Sequence, residues 1–342
     1  MMNIAIIGAG CSGLAAAHTL RDAEHNVVVF EQDRAPGGRA TTRKRDGFIY
    51  DHGAQYIKRG SPASVAFITE RFLVPDLIDI DKPVWIFDGA GRIQEGDPEQ
   101  NAEPKWCYRS GLGALAERMA AGLDIRRGTA IARLQQGGPG WQLFNAAGNM
   151  VGDCQRLLIA IPVPQALELV KTSHMEGALQ AAIGAQLSAA RYNPLLSVSL
   201  GYRPRPVTRP YYALVNSDRA HAISWLAWEH EKAPERAPAD AGLLIAQMAP
   251  GYSEQYWHMP DADIYRDVAR RVASLIDEDL PAPCFTDITR WRYALPSAKT
   301  DADALNAATI PAGLAFCGDG FVGGRVHLAI EHGIMTGQRL TY

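Results

Sequence analysis

The stretch NIAIIGAGCSGLAAAHTLRDAEHNVVVFE, residues 3–31, decides the fold of this chain. Asn3–Ile7 and Asn26–Glu31 are short apolar runs of the kind that form buried strands. The segment between them, from Ser12 to about Ala23, is rich in alanine and predicts a helix. A strand, a helix and a second strand in this order indicate a βαβ unit, in which the two strands are parallel.

The turn after the first strand has the spacing Gly-x-Gly-x-x-Gly in the segment GAGCSG, residues 8–13. In such a turn, Gly8 allows a tight bend, Gly10 lets the backbone approach a pyrophosphate, and Gly13 permits close helix packing. The first N–H groups of the helix attract phosphates, and Glu31, after the second strand, can accept hydrogen bonds from ribose hydroxyls. The motif predicts a bound dinucleotide and leaves NAD and FAD open. The alternative is a glycine-rich structural turn that binds no nucleotide.

The other end of the chain has a similar pattern. Leu314–Cys317 predicts a strand, Gly318–Gly324 is a glycine cluster, and Val326–Leu340 predicts a helix. A strand that ends in Gly-Asp, followed by glycines and a helix, is a second signature of the dinucleotide-binding type. The alternative is a glycine-rich turn that Asp319 caps.

Composition limits the partner and the cellular setting. A length of 342 residues, with 47% hydrophobic and 21% charged residues, predicts two domains with real cores. Lys and Arg number 34 against 37 Asp and Glu, a net charge of −3, so we expect a small-molecule partner, no nucleic acid and no membrane. The apolar run Ile4–Ile7 is too short to span a membrane and follows no basic segment, which argues against a signal peptide. Five scattered cysteines without Cys-x-x-Cys, and histidines without ligand spacing, predict a reduced cytoplasmic protein with no metal site.

Seven further segments are informative. They are GGRATT at 37–42, DHGAQY at 51–56, PVPQA at 162–166, WLA at 225–227, KAPER at 232–236, RWRYA at 290–294 and CGD at 317–319. The early and late segments are shared by many FAD oxidases, whereas WLA and RWRY are more discriminating. Through these segments, essentially the whole chain resembles the renalase-like flavoproteins of the flavoprotein amine oxidase superfamily. No second strand, Gly-x-Gly-x-x-Gly turn and helix is found, which argues against the separate NAD(P)H-binding domain of disulfide reductases.

The resemblance implies an α/β fold with a Rossmann-type FAD-binding domain, like that of p-hydroxybenzoate hydroxylase, interleaved with an α+β substrate domain on a mixed sheet. We expect residues 1–57, 104–163 and 286–342 to form the FAD-binding domain, and residues 58–103 and 164–285 to form the substrate domain. The active site should lie where the two domains meet. FAD should be held non-covalently, since no cysteine stands in a covalent-flavin motif.

The resemblance also implies the cofactor contacts. Arg39 would neutralise the FAD diphosphate with its planar donor set, and Asp319 would accept hydrogen bonds from the ribityl hydroxyls. The helix that begins near Val326 would direct its N-terminus at the N1–C2=O edge of the flavin. The expected cofactor-binding residues are Gly8, Ala9, Gly10, Cys11, Ser12, Gly13, Glu31, Gln32, Gly38, Arg39, Ala54, Gln55, Tyr56, Gly318, Asp319, Arg325 and Val326.

The implied activity is that of an oxidase. Hydride would pass from isomeric dihydronicotinamides, the 1,2- or 1,6-dihydro forms of NAD(P)H, to flavin N5, and O2 would reoxidise the flavin and give hydrogen peroxide. Such a reaction needs positioning more than acid–base chemistry, and the sequence shows no compelling general base. Amine oxidation, polyene dehydrogenation and a non-catalytic flavin sensor are the alternatives. Aromatic and histidine side chains are candidates for the pocket, although each is also a residue type that packs in cores. They are Tyr56, Trp225, Trp228, Trp291, Tyr293 and His327.

Overall fold

The computed structural model describes residues 1–138 and 140–341. Within them, strands β1–β20 are Asn3–Ile7, Asn26–Phe30, Thr42–Arg45, Phe48–Asp51, Ile57–Lys58, Leu77–Asp79, Val84–Phe87, Ile93–Gln94, Lys105–Tyr108, Asp124–Arg126, Arg133–Gly137, Gly140–Phe144, Met150–Cys154, Arg156–Ile159, Arg191–Tyr202, Ala213–Asn216, Ile223–Trp228, Gly242–Met248, Phe285–Ala298 and Leu314–Phe316. Helices α1–α12 are Cys11–Asp22, Pro62–Ala66, Pro98–Ala102, Gly113–Ala120, Val163–Lys171, Gly177–Leu187, Glu229–Lys232, Pro250–Gln255, Asp261–Ile276, Ala302–Thr309, Asp319–Val322 and Val326–Leu340. A π-helical turn follows α2 at Phe67–Arg71, and 3-10 turns lie at Pro234–Arg236 and Ile310–Ala312.

A five-stranded parallel sheet contains both dinucleotide-type signatures. Its strand order is β10-β2-β1-β14-β20, so β1 is central and β20 lies at one edge. Ile4 and Ile6 face a core shared with α1 and α12, whereas Ala5 and Ile7 face a core shared with the antiparallel sheet β11-β12-β13. Both faces are therefore covered, which explains why the strands are almost continuously apolar. The predicted βαβ unit is confirmed, since β1 and β2 pair in parallel.

A seven-stranded mixed sheet forms the second layer, with strand order β19-β15-β18-β17-β16-β7-β8. Alternate residues along its strands face opposite sides. One side packs on the apolar stripe of α9, which includes Val268 and Val272. The other side, which includes Ala227 and Ile245, packs in the core that also holds α1 and α12. The predicted combination of a Rossmann-like domain with a mixed sheet is confirmed.

The two sheets are built from interleaved parts of the chain. The parallel sheet uses strands within 3–30, 124–159 and 314–316, whereas the mixed sheet uses strands within 84–94, 191–248 and 285–298. β19 pairs along most of its length with β15. Residues 285–298 therefore belong to the mixed sheet, which differs from the predicted start of the last FAD-binding segment at residue 286.

Two smaller sheets, the hairpin β3-β4 and the sheet β5-β9-β6, complete the strand pairing in the described residues. Over 1–138 and 140–341, none of the helices has both the length and the apolar character needed to cross a membrane.

Candidate functional site

The turn between β1 and α1 places its glycines in different surroundings. A β-carbon on Gly13 would collide with the carbonyl oxygen of Gly8, so close packing of the helix on the turn requires glycine there. A β-carbon on Gly10 would meet no atom within 4 Å. Gly10 is also the N-cap of α1, and no side chain caps the helix. The space beside Gly10 and the free N–H groups of α1 fit a diphosphate.

The second glycine segment lies against this turn. Gly10 and Gly37 form a β-bridge, and the amide of Gly37 donates to the carbonyl oxygen of Ala9 at 2.8 Å. Gly38 has φ of +57°, and a β-carbon there would lie 3.8 Å from Cα of Gly10. The two glycine segments predicted to contact the diphosphate therefore line one space. Cys11 and Ser12 are buried in the first turn of α1.

Glu31 lies across the base of this turn. Its Oε2 accepts a hydrogen bond from the amide of Ala9 at 2.7 Å, and its Oε1 accepts one from the amide of Asp33 at 2.9 Å. Burial raises the pKa of Glu31, although these two N–H groups act in the opposite direction. Each carboxylate oxygen keeps a second lone pair with which it can accept from a ribose hydroxyl. Gln32 follows at the surface.

Arg39 joins the two ends of the chain. Its Nη1 and Nη2 donate to the two carboxylate oxygens of Asp319 at 2.6 and 2.7 Å. Nη1 also donates to the carbonyl oxygens of Tyr293 and Ala294, at 2.8 and 3.0 Å, and the Tyr192 hydroxyl donates to Asp319 at 3.0 Å. Burial alone would lower the pKa of Arg39, but the charge and hydrogen bonds of Asp319 outweigh burial and raise it.

The sequence predicts separate contacts for these residues, Arg39 with the FAD diphosphate and Asp319 with the ribityl hydroxyls. The structure shows that they also bind each other. A guanidinium has five N–H donors. Three acceptors occupy Nη1 and one occupies Nη2, which leaves Nε and part of Nη2 of Arg39 for a phosphate. Because Asp319 fixes the orientation of Arg39, the phosphate end and the flavin end of the predicted site are mechanically linked.

The start of α12 adjoins the same region. Its N-cap is Arg325, which is exposed, and no side chain caps its first N–H groups. Val326 is buried in the core that includes α1. The Gly318 amide donates to Nδ1 of His332 at 3.2 Å, which holds the turn after β20 against the middle of α12. The uncapped helix start is compatible with the predicted contact to the flavin, which stays a prediction.

The segment 51–56 lies between Arg39 and the mixed sheet. The amide of Ala54 donates to the carbonyl oxygen of Arg39 at 2.9 Å. From the sheet, Gln247 Nε2 donates to the carbonyl oxygen of Gly53 at 2.6 Å, and Trp291 Nε1 donates to that of His52 at 2.8 Å. The segment is therefore fixed on both sides at the junction of the two layers.

Aromatic rings collect at this junction. Tyr56 and Trp225 stack with centroids 6.0 Å apart and planes 24° apart, and Tyr212 meets both rings edge-on. Trp291 stacks on His52 at 5.4 Å with planes 6° apart. The structure therefore brings Tyr56 and Trp225 together and places Trp291 beside the same segment, 51–56.

Tyr293 and Trp228 lie elsewhere. The Tyr293 ring meets the Tyr192 ring edge-on at 6.0 Å, next to Asp319 rather than beside Tyr56. Trp228 is fully buried and packs in the core against α9, with its ring edge-on to Tyr211. The interpretation of Trp228 as a pocket residue is not supported, because Trp225 and Trp228 project from opposite faces of β17.

His327 occupies the first turn of α12. Its Nδ1 is buried and has no hydrogen-bond partner in residues 1–138 and 140–341. Burial lowers the pKa of His327, so the ring is neutral at pH 7. The neighbouring carboxylate of Glu331 accepts from the Ser61 amide and the Ser64 hydroxyl, both at 2.7 Å.

The sequence does not predict the contacts of several residues at the junction. The side chain of Gln55, predicted to contact the cofactor, donates instead to the carbonyl oxygens of Asp51 and Gly53. Gln247 and Tyr212 were not predicted at all. Strand alternation could have placed Gln247 on the same face as Ile245, but it gives no sign of which segment that face meets.

Comparison with known protein families agrees with this geometry. Residues 6–70 match the model of the NAD(P)-binding Rossmann-like domain, and residues 93–341 match that of flavin containing amine oxidoreductases. The second match covers more than half of the chain. The chain belongs to the flavin containing amine oxidoreductase family. Its class is therefore that of FAD-dependent oxidoreductases, and its cofactor is FAD.

Curated relatives match a shorter part of the chain. The 4,4'-diapophytoene desaturase of Staphylococcus haemolyticus is 36% identical over 87 residues, which are 25% of this chain and 17% of the desaturase. The corresponding desaturase of Staphylococcus aureus strain Newman is 34% identical over 87 residues, with the same coverage. The matched part is thus less than a fifth of the length of these relatives.

Solved structures share the fold over nearly the whole chain. A candidate protoporphyrinogen oxidase from Exiguobacterium sp. 255-15 has a TM-score of 0.79 at 16% identity, and cyclohexylamine oxidase from Brevibacterium oxydans IH-35A has 0.77 at 14%; each comparison covers 99% of this chain and 98% of the other. Reduced UDP-galactopyranose mutase reaches 0.77 at 12% identity, covering 100% and 95%. Proteins named as oxidases and as a mutase share this fold, so the fold alone does not identify the reaction.

The residues of this site fit FAD. Gly10 and the start of α1 leave room for a diphosphate, Glu31 retains acceptor capacity, and Asp319 presents a carboxylate at the other end. When bound, FAD supplies the hydride-accepting ring. The protein's part would be to bind it, to orient Arg39 through Asp319, and to hold segment 51–56, which ends in Tyr56, against the mixed sheet.

Proposed function

We propose that this chain is a renalase-like oxidase that transfers hydride from isomeric dihydronicotinamides, 1,2- or 1,6-dihydroNAD(P), to FAD, with O2 as the second substrate and hydrogen peroxide as product. The support is the resemblance of the whole chain to renalase-like flavoproteins and the character of the junction between the two sheets. The proposal refines the family assignment, which by itself is compatible with several hydride donors.

The observation that carries the proposal is the uncharged aromatic group of Tyr56, Tyr212 and Trp225 at that junction. Burial raises the pKa of Tyr56 and of Tyr212, so neither phenol is charged at pH 7. A dihydronicotinamide releases hydride because its ring nitrogen donates electron density, and it needs no side-chain base. The protein's contribution is then to hold a flat ring in the correct orientation, for which flat aromatic neighbours such as Trp225 are suited.

The test is an anaerobic reduction panel. FAD-loaded protein is mixed with 1,2-dihydroNAD(P), 1,6-dihydroNAD(P), ordinary NADPH, cyclohexylamine or putrescine, and flavin absorbance is followed. We expect bleaching within seconds by at least one dihydronicotinamide isomer and no reduction by the amines. Admission of O2 should restore the oxidised spectrum and produce hydrogen peroxide. An oxidised spectrum that persists with both isomers would refute the proposal.

Amine oxidation is the second candidate, favoured by the family description and by the names of cyclohexylamine oxidase and putrescine oxidase among proteins of the same fold. An amine held between two aromatic faces needs a gap between them. Tyr56 and Trp225, with centroids 6.0 Å apart, are within ordinary stacking range and leave none. The same panel tests this candidate, because rapid bleaching by an amine would support it.

Two further alternatives predict different outcomes. The match to 4,4'-diapophytoene desaturases raises polyene dehydrogenation, for which an apolar polyene would be the reductant. In a flavin sensor without turnover, no donor in the panel would reduce the bound FAD, although light still would.

We also infer a cytoplasmic location, supported by five cysteines that are all free, four of them buried. Fractionation of cells that express the full protein tests this location.

A further inference from the structure

Four charged side chains are buried together at the junction of the two layers. They form what we call the buried ion cluster: Asp51, Glu229, Lys232 and Arg236. All four are at most 3% exposed. Asp51 ends β4, whereas the other three lie in α7 and the 3-10 turn after it, downstream of β17. With two acids and two bases, the cluster is neutral overall.

Arg236 is the centre of the cluster. Its Nη1 donates to Asp51 Oδ2 at 2.7 Å and to Glu229 Oε1, and its Nη2 donates to the carbonyl oxygen of Tyr108 at 2.5 Å. Asp51 Oδ1 in turn accepts from the amide of Leu112 at 2.8 Å. The cluster thus ties the end of β4, the end of β9 and the start of α4 to the segment that follows β17.

Lys232 connects the buried ion cluster to the segment 51–56. Its Nζ lies 2.8 Å from Glu229 Oε2 and donates to Gln55 Oε1 at 3.2 Å. The amide nitrogen of Gln55 donates to the carbonyl oxygens of Asp51 at 2.5 Å and Gly53 at 3.2 Å. Lys232 therefore fixes the side chain that folds the segment 51–56 onto itself.

Such a cluster is a poor device for stability alone. Removing charges from water has a large free-energy cost, and apolar side chains of similar volume are often as stabilising as a buried ion pair. Removing a single partner is costly, because it leaves an unpaired charge in the interior. In some proteins, buried polar or ionic groups fix one relative arrangement of the segments that carry them.

We propose that Lys232 and Arg236 are positioning residues that act through the buried ion cluster and Gln55 to hold the segment 51–56 beside FAD. The segment carries Ala54, next to Arg39, and Tyr56, in the aromatic group. Lys232 and Arg236 act by setting where the segment lies, through their contacts to Gln55 and Asp51. The inference rests on the proposed function only for the place of this segment beside the flavin, and it does not depend on the hydride donor.

The test measures FAD affinity and the rate of trypsin cleavage near the segment, and it needs no hydride donor. Lys232→Met removes one charge and the contact to Gln55, and we expect at least a tenfold increase in the FAD dissociation constant and a changed flavin absorption envelope. The apoprotein should also be cleaved faster by trypsin after Arg59, which is exposed and follows the segment closely. The double variant Glu229→Gln/Lys232→Met removes one charge of each sign and should recover part of the stability but not the FAD affinity.

Gln55→Leu separates positioning from folding, because it breaks the link to the segment while all four charges stay paired. We expect weaker FAD binding with a thermal midpoint close to that of the wild type. The matched control is Arg109→Met, which removes an exposed ion pair to Glu235 that spans the same region, with atoms 3.1 Å apart; FAD affinity should change less than twofold. Wild-type FAD affinity in both Lys232→Met and Gln55→Leu would overturn the inference. If FAD affinity falls as expected but no dihydronicotinamide reduces the wild type, the inference holds and the proposed function fails.

Discussion

Gly10 and Gly13 are three residues apart and are glycine for different reasons. Gly13 is required by the protein, since a β-carbon there would meet the carbonyl oxygen of Gly8. Packing does not require glycine at position 10, because a β-carbon there would have no described protein atom within 4 Å. At the residue scale, the signature for FAD is therefore the glycine that the packing does not explain.

This difference predicts the effects of two alanine substitutions. Gly10→Ala should leave the thermal midpoint of the apoprotein unchanged, since its φ of −73° suits alanine, and weaken FAD binding at least tenfold, or about 1.4 kcal/mol. Gly13→Ala should destabilise the apoprotein itself by about 1 to 3 kcal/mol, as overpacking does. Thermal unfolding of the apoproteins and fluorescence titration with FAD measure the two effects. Equal destabilisation by both substitutions would contradict the assignment.

The link between Arg39 and Asp319 gives a second prediction at this scale. Arg39→Lys keeps the positive charge but loses the paired donors to both carboxylate oxygens. We expect FAD binding to weaken by roughly 10- to 100-fold, a loss of about 1.4 to 2.7 kcal/mol. Arg43→Lys is the control, because Arg43 lies on β3 of the neighbouring hairpin and pairs with Asp287 of β19 rather than with Asp319. Titration of both variants with FAD decides the point, and similar losses in the two would speak against a special place for Arg39.

At the scale of elements, strand alternation explains part of the site. Along β17, Trp225 faces Tyr56, whereas Trp228 faces the core against α9. A sequence pattern predicts that the two rings project from opposite faces, but it does not say which face meets the flavin. For that reason, the sequence analysis included both tryptophans and only one lies at the junction.

The two tryptophans should respond differently to substitution. Trp228→Phe should lower the free energy of unfolding by about 1 to 2 kcal/mol through lost core packing, with little change in KM for the hydride donor. Trp225→Phe should raise KM or slow flavin reduction, with little change in stability. Chemical denaturation and anaerobic reduction kinetics separate the two effects. A larger kinetic effect from Trp228→Phe would show that the faces of β17 are misassigned.

At the scale of the whole molecule, burial of neutral histidines links stability to pH. Burial lowers the pKa of His52 and of His230 from 6.5 to about 4. The unfolded chain therefore binds protons first as pH falls, and stability should decrease from about pH 6.5 towards pH 4. Each histidine contributes up to about 3 kcal/mol to this loss, at 1.36 kcal/mol for each pKa unit. Denaturation midpoints between pH 7.5 and 4.5 measure the slope.

His230→Gln should flatten this dependence, whereas His258→Gln, at an exposed position, should leave it unchanged. An equally steep loss of stability in His230→Gln would mean that other groups cause it. Asp51 acts at lower pH: burial would raise its pKa, but the charges of Arg236 and Lys232 outweigh burial and lower it. Its contribution to stability is thus lost only as pH falls below the usual range of an aspartate.

Features that depend on residues close together in the sequence could be predicted from it, whereas features that depend on contacts between distant residues could not. The βαβ unit and the helix Val326–Leu340 depend on local periodicity, and each is found where that periodicity places it. The buried ion cluster depends on contacts such as that of Asp51 with Arg236, 185 residues apart. No local pattern distinguishes such a buried charge from a solvated one. Likewise, burial alternates little along β19, and only the motif RWRYA marks this strand in the sequence.

The central claim is that the two ends of the chain bind one FAD, which accepts hydride from an isomeric dihydronicotinamide. The most direct measurement is a single-turnover experiment, in which FAD-loaded protein is mixed anaerobically with one equivalent of 1,2-dihydroNADP and flavin absorbance is recorded. We expect full bleaching within seconds and the formation of NADP+ in equal amount. A spectrum that stays oxidised, while an amine or a polyene bleaches the same sample, would contradict it.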